Sequence, residues 1–209
     1  MAIFLIRHGE TDSNRARVVQ VPQTPLSERG REQARRLGAR MAGERLARIL
    51  ASDLARADET ARAVSAATRL PVESDPLLQE RNFGDIRGTA YADLAESPFG
   101  PGYAPPGGET WSAFHERVDA AWSRIRAVSA ELDGDEHLAV VTHGLVLHSL
   151  SVRHLMLPPG VASAPDDGPP LSFGNTSVSI VEAAAPWRVS LHGCTAHLDG
   201  EEPEGVSGL

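Results

Sequence analysis

Four places in this 209-residue chain put a reactive side chain directly behind a short apolar run or in the loop after one. The run at 2–6 ends in Arg7-His8-Gly9-Glu10-Thr11, and the run at 48–51 leads into Ser52-Asp53-Leu54-Ala55-Arg56. A loop after residues 71–73 carries Leu78-Gln79-Glu80-Arg81, and Val140-Val141-Thr142 ends in His143-Gly144. Two imidazoles, two guanidiniums and one carboxyl group can thus converge on one crevice. Guanidiniums grip phosphate oxygens with planar forks, an imidazole supplies a nucleophilic nitrogen or a donor, and a carboxylic acid protonates a leaving alkoxide. The chemistry this set suits is attack on a phosphate ester. The sequence holds no competing cluster.

Such convergence needs strands that deliver their carboxyl ends to one edge. The continuous apolar run at 2–6 is expected for a strand covered on both faces. Ser27 is a plausible N-cap of a helix carried by Ala34, Leu37 and Met41 at helical spacing. Residues 48–51 read as a second strand, and Ser52-Asp53 as the cap of a helix running to about Leu70. A short third strand at 71–73 and an irregular loop over 75–88 follow. Next come a long amphipathic helix (Trp111, Phe114, Val118, Trp122, Ile125 and Val128 on one face), a strand at 138–142 and a helix at 145–155. The stretch 157–174, with five prolines, reads as a surface loop, and 176–182 and 187–191 as two final strands, paired as a hairpin. This alternation predicts an α/β fold, three-layer α/β/α with a mostly parallel central sheet. Ligands of open sheets of this kind bind outside the carboxyl ends of the strands. Residues 1–198 are expected to form one domain with a cap-like insertion at about 85–110, and 199–209 an acidic, flexible tail.

Composition removes whole classes of function. All 20 basic residues are arginine, so lysine-dependent chemistry (a Walker phosphate loop, a Schiff base, a Ser-Lys hydrolase) is excluded. One cysteine, Cys194, allows no internal disulfide, no thiolate zinc site and no iron–sulfur cluster. The net charge of −8 argues against nucleic-acid or anionic-membrane partners. It is unevenly spread: residues 1–100 carry 15 Arg and 14 acids, residues 101–209 only 5 Arg and 14 acids, so an anion pocket should come mainly from the first half. No segment approaches the roughly 18 consecutive apolar residues of a membrane span, and the run at 2–6 is too short for a secretory signal. The expectation is a cytoplasmic protein.

The ordered pieces resemble the histidine phosphatase superfamily, the phosphoglycerate mutase-like proteins, from Ile3 to about Leu198. The matching pieces are Leu5-Ile6-Arg7-His8-Gly9-Glu10-Thr11 with Asn14, Pro25-Leu26-Ser27-Glu28-Arg29-Gly30, and Ser52-Asp53-Leu54-Ala55-Arg56-Ala57 with Thr60-Ala61. Further matches are Glu80 with Phe83-Gly84 and Gly88, Gly107-Gly108-Glu109-Thr110, Val141-Thr142-His143-Gly144 and Asn175-Thr176-Ser177. The resemblance implies a phosphoglycerate mutase-like fold and a metal-independent phosphomonoesterase that forms a phosphohistidine, with no cofactor and a small-molecule phosphate ester as partner. It makes His8 the nucleophile and Glu80 the general acid and base, with Arg7, Arg56 and His143 on the phosphoryl oxygens. Asn14, Thr11, Arg81 and Gly144 are the implied substrate contacts.

Plainer readings stand beside these. His8 alone would be an ordinary polar residue at a strand end. Arg56 could pair with Asp53 or Glu59 on its own helix, and Glu10, Glu109 and Asp85 rival Glu80 as the acid. His115 reads as a packing or surface residue, and His148, one turn beyond Gly144, as either a supporting residue or a merely helical one.

The superfamily also holds cofactor-dependent phosphoglycerate mutases and non-catalytic phospho-ligand binding proteins, and fold does not choose among them. The segment 89–110 is short, has no Arg and carries Asp93, Glu96 and Glu109, an acidic cap expected to repel a bisphosphorylated cofactor. Leu145 follows His143-Gly144 where mutases tend to have asparagine. Arg81 points the other way, since it matches a mutase substrate contact. The balance favours a phosphatase, and the cap residues Phe99, Tyr103, Pro105 and Pro106 suggest an apolar or neutral organic part on the ester. Gln20-Val21-Pro22-Gln23 departs from the family's usual glycine- and aspartate-containing stretch and is expected to reshape one wall of the pocket. Cys194, near the end where relatives often have asparagine, is a second departure.

Overall fold

The computed structural model describes residues 1–161 and 171–199. Its centre is a six-stranded sheet of β1 (Ala2–Arg7), β2 (Leu46–Ala51), β3 (Val72–Ser74), β4 (His137–Thr142), β5 (Val178–Glu182) and β6 (Val189–Cys194). Their order is β3-β2-β4-β1-β5-β6. The first four strands pair in parallel, β5 runs antiparallel to β1, and β6 antiparallel to β5, so five of the six share a direction. The architecture is the expected α/β one, with the last two strands forming the expected hairpin.

Alternation along the central strands explains the layering. Ile3 and Leu5 of β1 and Leu138 and Val140 of β4 enter the core on one face. Phe4, Ile6, Ala139 and Val141 enter the core on the other. A strand buried on both sides needs apolar residues at every position, which is why these segments read as unbroken runs. Helices α2 (Glu28–Met41) and α3 (Ala55–Thr68) cover one face through Leu37, Met41, Ala57, Ala61 and Val64. Helices α4 (Trp111–Ala130) and α5 (Gly144–Arg153) cover the other through Phe114, Val118, Trp122, Ile125, Val146 and Leu150. The apolar stripe of α4 is core at Phe114, Val118, Trp122, Ile125 and Val128, while Trp111 lies at the core's margin.

One capping expectation fails. Ser27 caps α2 as expected, accepting from Gly30 N–H at 3.0 Å. Helix α3, however, starts behind Leu54 with no side-chain cap. Ser52 and Asp53 sit two residues and one residue too early, and their side chains are engaged elsewhere: Ser52 with His143 and Asp53 with the amide of Gln79.

Residues 75–110 contain only three short 3₁₀ turns, at Pro76–Leu78, Gly84–Ile86 and Tyr91–Asp93. Gly84 is obligatory there: its φ is +52°, and a Cβ would come within 2.1 Å of the Pro106 carbonyl oxygen. The loop expected over 157–174 is described only at its two ends, and 162–170 lies outside the described residues, as does 200–209 of the tail. Among the described residues no helix is long and apolar enough to cross a membrane.

Candidate active site

The carboxyl ends of β1, β2 and β4 do meet. Arg7, His8, Arg56 and His143 are each at most 2% exposed, and the rings of His8 and His143 lie 5.1 Å apart. Arg7, His8, Arg56 and Glu80 line one cleft. The four strand-end pieces picked from the sequence are thus brought together.

His8 is held as a nucleophile must be. Its Nδ1 is 2.7 Å from the Gly9 carbonyl oxygen, which can only accept, so the ring proton sits on Nδ1 and the lone pair on Nε2. That Nε2 receives the Nε–H of Arg56 at 3.3 Å. Burial, then the charges of Arg56 and Arg7, hold the His8 pKa well below the ordinary imidazole value, against the opposing bond to Gly9. The ring is therefore neutral at neutral pH. Its backbone is fixed by four bonds: His8 N–H donates to Thr142 O, Arg7 N–H to Ser177 O, and both Thr176 N–H and the Asn175 amide to His8 O. This gives the Asn175-Thr176-Ser177 piece its physical meaning: it braces the loop that carries His8.

His143 stands beside His8. Its Nε2 lies 2.8 Å from Ser52 Oγ, which also accepts from Leu54 N–H at 3.3 Å. Its Nδ1 is buried without a hydrogen-bond partner. With Ser52 donating to Nε2, the ring proton is on Nδ1, a donor that suits an incoming phosphoryl oxygen. Burial, then Arg56, His8 and Arg7, also keep His143 neutral. Sequence reading took Ser52 for a helix cap and missed this role; its place at the end of β2 was the available signal.

Arg7 is anchored by donating from Nη1 to the Phe173 carbonyl. Arg56 donates to Val21 O as well as to His8, and no ion pair to Asp53 or Glu59 forms. Its pKa falls to about 10, chiefly through burial, so it stays charged. Gly144 opens α5 beside Arg7, and a Cβ there would lie 3.8 Å from the Arg7 Nε.

Among the described residues Glu80 is the only carboxyl group lining the cleft. Its Oε1 accepts from Arg81 N–H at 3.0 Å and its Oε2 from Leu145 N–H at 3.2 Å. Burial raises its pKa and outweighs those two bonds and the charges of Arg56 and Arg7. A carboxyl group that keeps its proton toward neutrality is what protonation of a leaving group requires. The rival acids are occupied or distant. Glu10 accepts from Ser27 and pairs with Arg29, Glu109 forms a two-bond pair with Arg117, and Asp85 is exposed outside the cleft.

The implied substrate contacts fare differently. Thr11 and Asn14 form a capping box around α1 (Asp12–Arg15), Thr11 Oγ1 accepting from Asn14 N–H and Asn14 Oδ1 from Thr11 N–H. Neither lines the cleft. Arg81 reaches its wall, yet its guanidinium donates to the carbonyls of Pro98, Tyr103 and Glu109 and lies 3.9 Å over the Trp111 ring. It ties the cap together. Arg117 does the same from α4: beyond its pair with Glu109, it donates to the carbonyls of Leu77, Gln79 and Glu80. Sequence reading gave Arg117 no role.

The acidic cap needs correction. Asp93 and Glu96 are exposed and outside the cleft, and Glu109 is neutralised by Arg117, which together with Asn82 N–H outweighs burial and holds its pKa low. Charge written along the segment does not reach the cavity, so repulsion of a polyanion does not follow. The wall is instead Val19, Gln20, Pro22, Leu54, Phe83, Arg87, Tyr91, Phe99 and Leu145. Gln20 and Pro22, from the stretch that departs from the family pattern, form part of this wall. His115 stacks on Trp111 and bonds Ser149, while buried His148 accepts from Leu171 N–H and so supports the returning chain. Among the described residues no three His, Cys, Asp or Glu side chains gather as a metal ion would require.

Comparison with known proteins adds three findings. A family profile described as histidine phosphatase superfamily (branch 1) matches residues 3–192. The chain is 34% identical to the adenosylcobalamin/alpha-ribazole phosphatase of Escherichia coli over 76% of its own length and 81% of that protein. It is 31% identical to phosphoglycerate mutase-like protein 4 of Arabidopsis thaliana over 94% and 86% respectively. Among solved structures, mycobacterial glucosyl-3-phosphoglycerate phosphatase superposes with a TM-score of 0.76 at 27% identity, covering 92% of this chain and 99% of that one.

Proposed function

The chain belongs to branch 1 of the histidine phosphatase superfamily, and from that premise we propose that it is a metal-independent phosphomonoesterase acting on a small-molecule phosphate ester. The observation that carries the reading is the pairing at His8: Nδ1 tied to Gly9 O, and Nε2 left as a neutral lone pair among Arg7, Arg56 and His143.

The reaction follows from those positions. His8 Nε2 attacks phosphorus as the ester P–O bond breaks, and the leaving alkoxide takes the proton of Glu80. Arg7, Arg56 and the His143 Nδ1–H meet the charge on the equatorial oxygens. Glu80, now a carboxylate, removes a proton from water; the water oxygen attacks phosphorus, the P–N bond breaks, and His8 returns neutral with inorganic phosphate released. Fixed protein cations supply the charge stabilisation that a two-metal phosphatase draws from its ions.

Two findings support hydrolysis over mutase chemistry: the relative with the higher identity of the two is named a phosphatase, and Leu145 adds an apolar wall beside Glu80. The test is release of phosphate from p-nitrophenyl phosphate with a chelator present, together with acid-labile phosphohistidine trapped by rapid quench. Activity that disappears with chelator and returns only with metal overturns the reading. Conversion of 3-phosphoglycerate to 2-phosphoglycerate in the presence of a trace of bisphosphoglycerate would replace it with the mutase.

A further inference from the structure

The cleft contains a guanidinium that the reaction above does not use. Arg87 lines the cavity alongside Arg56, Tyr91 and Phe99. Among the described residues its side chain has no hydrogen bond or ion pair. The other cavity arginines are engaged: Arg7 with Phe173 O, Arg56 with His8 and Val21 O, and Arg81 with three carbonyls. The one carboxyl group on the wall, Glu80, is held by two backbone N–H groups.

The position of Arg87 is not that of a loose surface residue. Its N–H donates to Gly84 O at 3.3 Å, closing the 3₁₀ turn. On its other side Gly88 N–H donates to Val19 O at 2.7 Å, and Val19 N–H to Thr89 O at 2.9 Å. The Cα of Arg87 is thereby fixed between two bonded peptides, with the side chain half-buried at the cavity wall. Its charge is close enough to act on Arg56. Arg7, Arg56, Arg81 and Arg87 line the cleft with, among the described residues, one carboxyl group, a balance that favours a ligand negative in more than one place.

We propose that Arg87 receives a second anionic group, a carboxylate or a second phosphate, carried on the organic part of the ester whose phosphoryl group lies at His8. The inference rests on the phosphomonoesterase reading and deepens it: the substrate has an apolar or neutral body against Val19, Phe83 and Phe99, and an anion at its far side. This revises the expectation of a neutral organic part. Arg87 becomes the specificity arginine, the place that sequence resemblance gave to Arg81.

Matched ligands test this as competitors of p-nitrophenyl phosphate hydrolysis. One pair is 3-phosphoglycerate and glycerol 3-phosphate, which differ by a carboxylate; the other is fructose 1,6-bisphosphate and fructose 6-phosphate, which differ by a phosphate. The inhibition constant of at least one second-anion member is expected to be lower than that of its partner. That ratio should shrink about tenfold in Arg87→Gln, the worth of one charge-assisted contact, while Arg87→Lys keeps part of it. The pair that responds identifies the anion. Ratios near one in the unaltered protein, or ratios unmoved by Arg87→Gln, overturn the inference while leaving the phosphatase reading intact. If p-nitrophenyl phosphate is never hydrolysed, the phosphatase reading falls and this inference falls with it.

Discussion

On the floor of the cleft, His8 and His143 leave parallel strand ends and Arg56 sits in the first turn of α3, each backbone fixed by sheet or helix hydrogen bonds. In the cap, residues 82–110 have two short 3₁₀ turns and otherwise irregular chain, held to the body by Arg81 and Arg117 bonding backbone carbonyls. The floor thus gets its precision from regular structure, and the cap from these two side chains and from isolated backbone bonds such as those of Gly88 and Thr89 to Val19. Chemistry tolerates little displacement and is placed on the first; recognition of a variable organic group sits on the second, where a change of loop costs the sheet nothing.

The contrast breaks first at His8. His8→Ala is expected to reduce turnover by about 10⁴-fold or more while the protein keeps its fold, read by phosphate release and thermal melting. A variant that retains most of its activity would put the nucleophile elsewhere. Glu80→Gln comes next, with a loss of about 10²–10³-fold on alkyl phosphates and a smaller one on aryl phosphates, whose phenolates leave unaided.

The same residue sets the pH profile. Since burial raises the Glu80 pKa, the acid form survives toward neutrality and alkyl-ester turnover falls as pH rises through that raised value. His8, held neutral by a lowered pKa, moves the acidic limb below the ordinary imidazole range. Initial rates over pH 4–9 should give an optimum on the acid side, with the alkaline limb flattened for aryl esters; an alkyl profile flat above neutrality removes Glu80 from the acid role.

Arg81→Leu sharpens the comparison from the cap side. Leaving the carbonyls of Pro98, Tyr103 and Glu109 without their donor should cost about 2–3 kcal/mol and open residues 82–110 to limited proteolysis, with the sheet intact. Equal protease resistance would show that the cap does not depend on this residue. The smallest effect belongs to the surface: Arg45→Ala, which removes an exposed pair with Asp135, should change the unfolding free energy by about 0.5 kcal/mol or less.

What the sequence could disclose follows the same division. The core strands were legible because burial on both faces demands unbroken apolar runs, and Arg7, His8, Arg56 and His143 because they stand at the ends of those runs. Glu80 was legible as a candidate from its place in the loop after the third strand, and its role only through resemblance, since a loop gives no period to count. Thr11 and Asn14 were legible as a polar pair but not by role, because a capping box and a ligand site draw on the same small polar residues. Arg81 and Arg87 lie six positions apart in one irregular segment, and nothing in the order of residues tells which guanidinium binds backbone and which faces the cavity. The three cap acids misled for the same reason: net charge is a sum, while a field depends on direction.

The bond from Arg56 Nε to His8 Nε2 has a consequence for the resting protein. With no ester bound, the reactive nitrogen is enclosed and already shares its electron pair with a donor, so an electrophile that offers Arg56 nothing in exchange meets a masked ring. An acylating reagent such as diethyl pyrocarbonate should therefore modify half-buried imidazoles of this chain, such as His154, well before His8. On the proposed reaction, a phosphate ester draws the guanidinium onto its own oxygens and so uncovers the atom that attacks it.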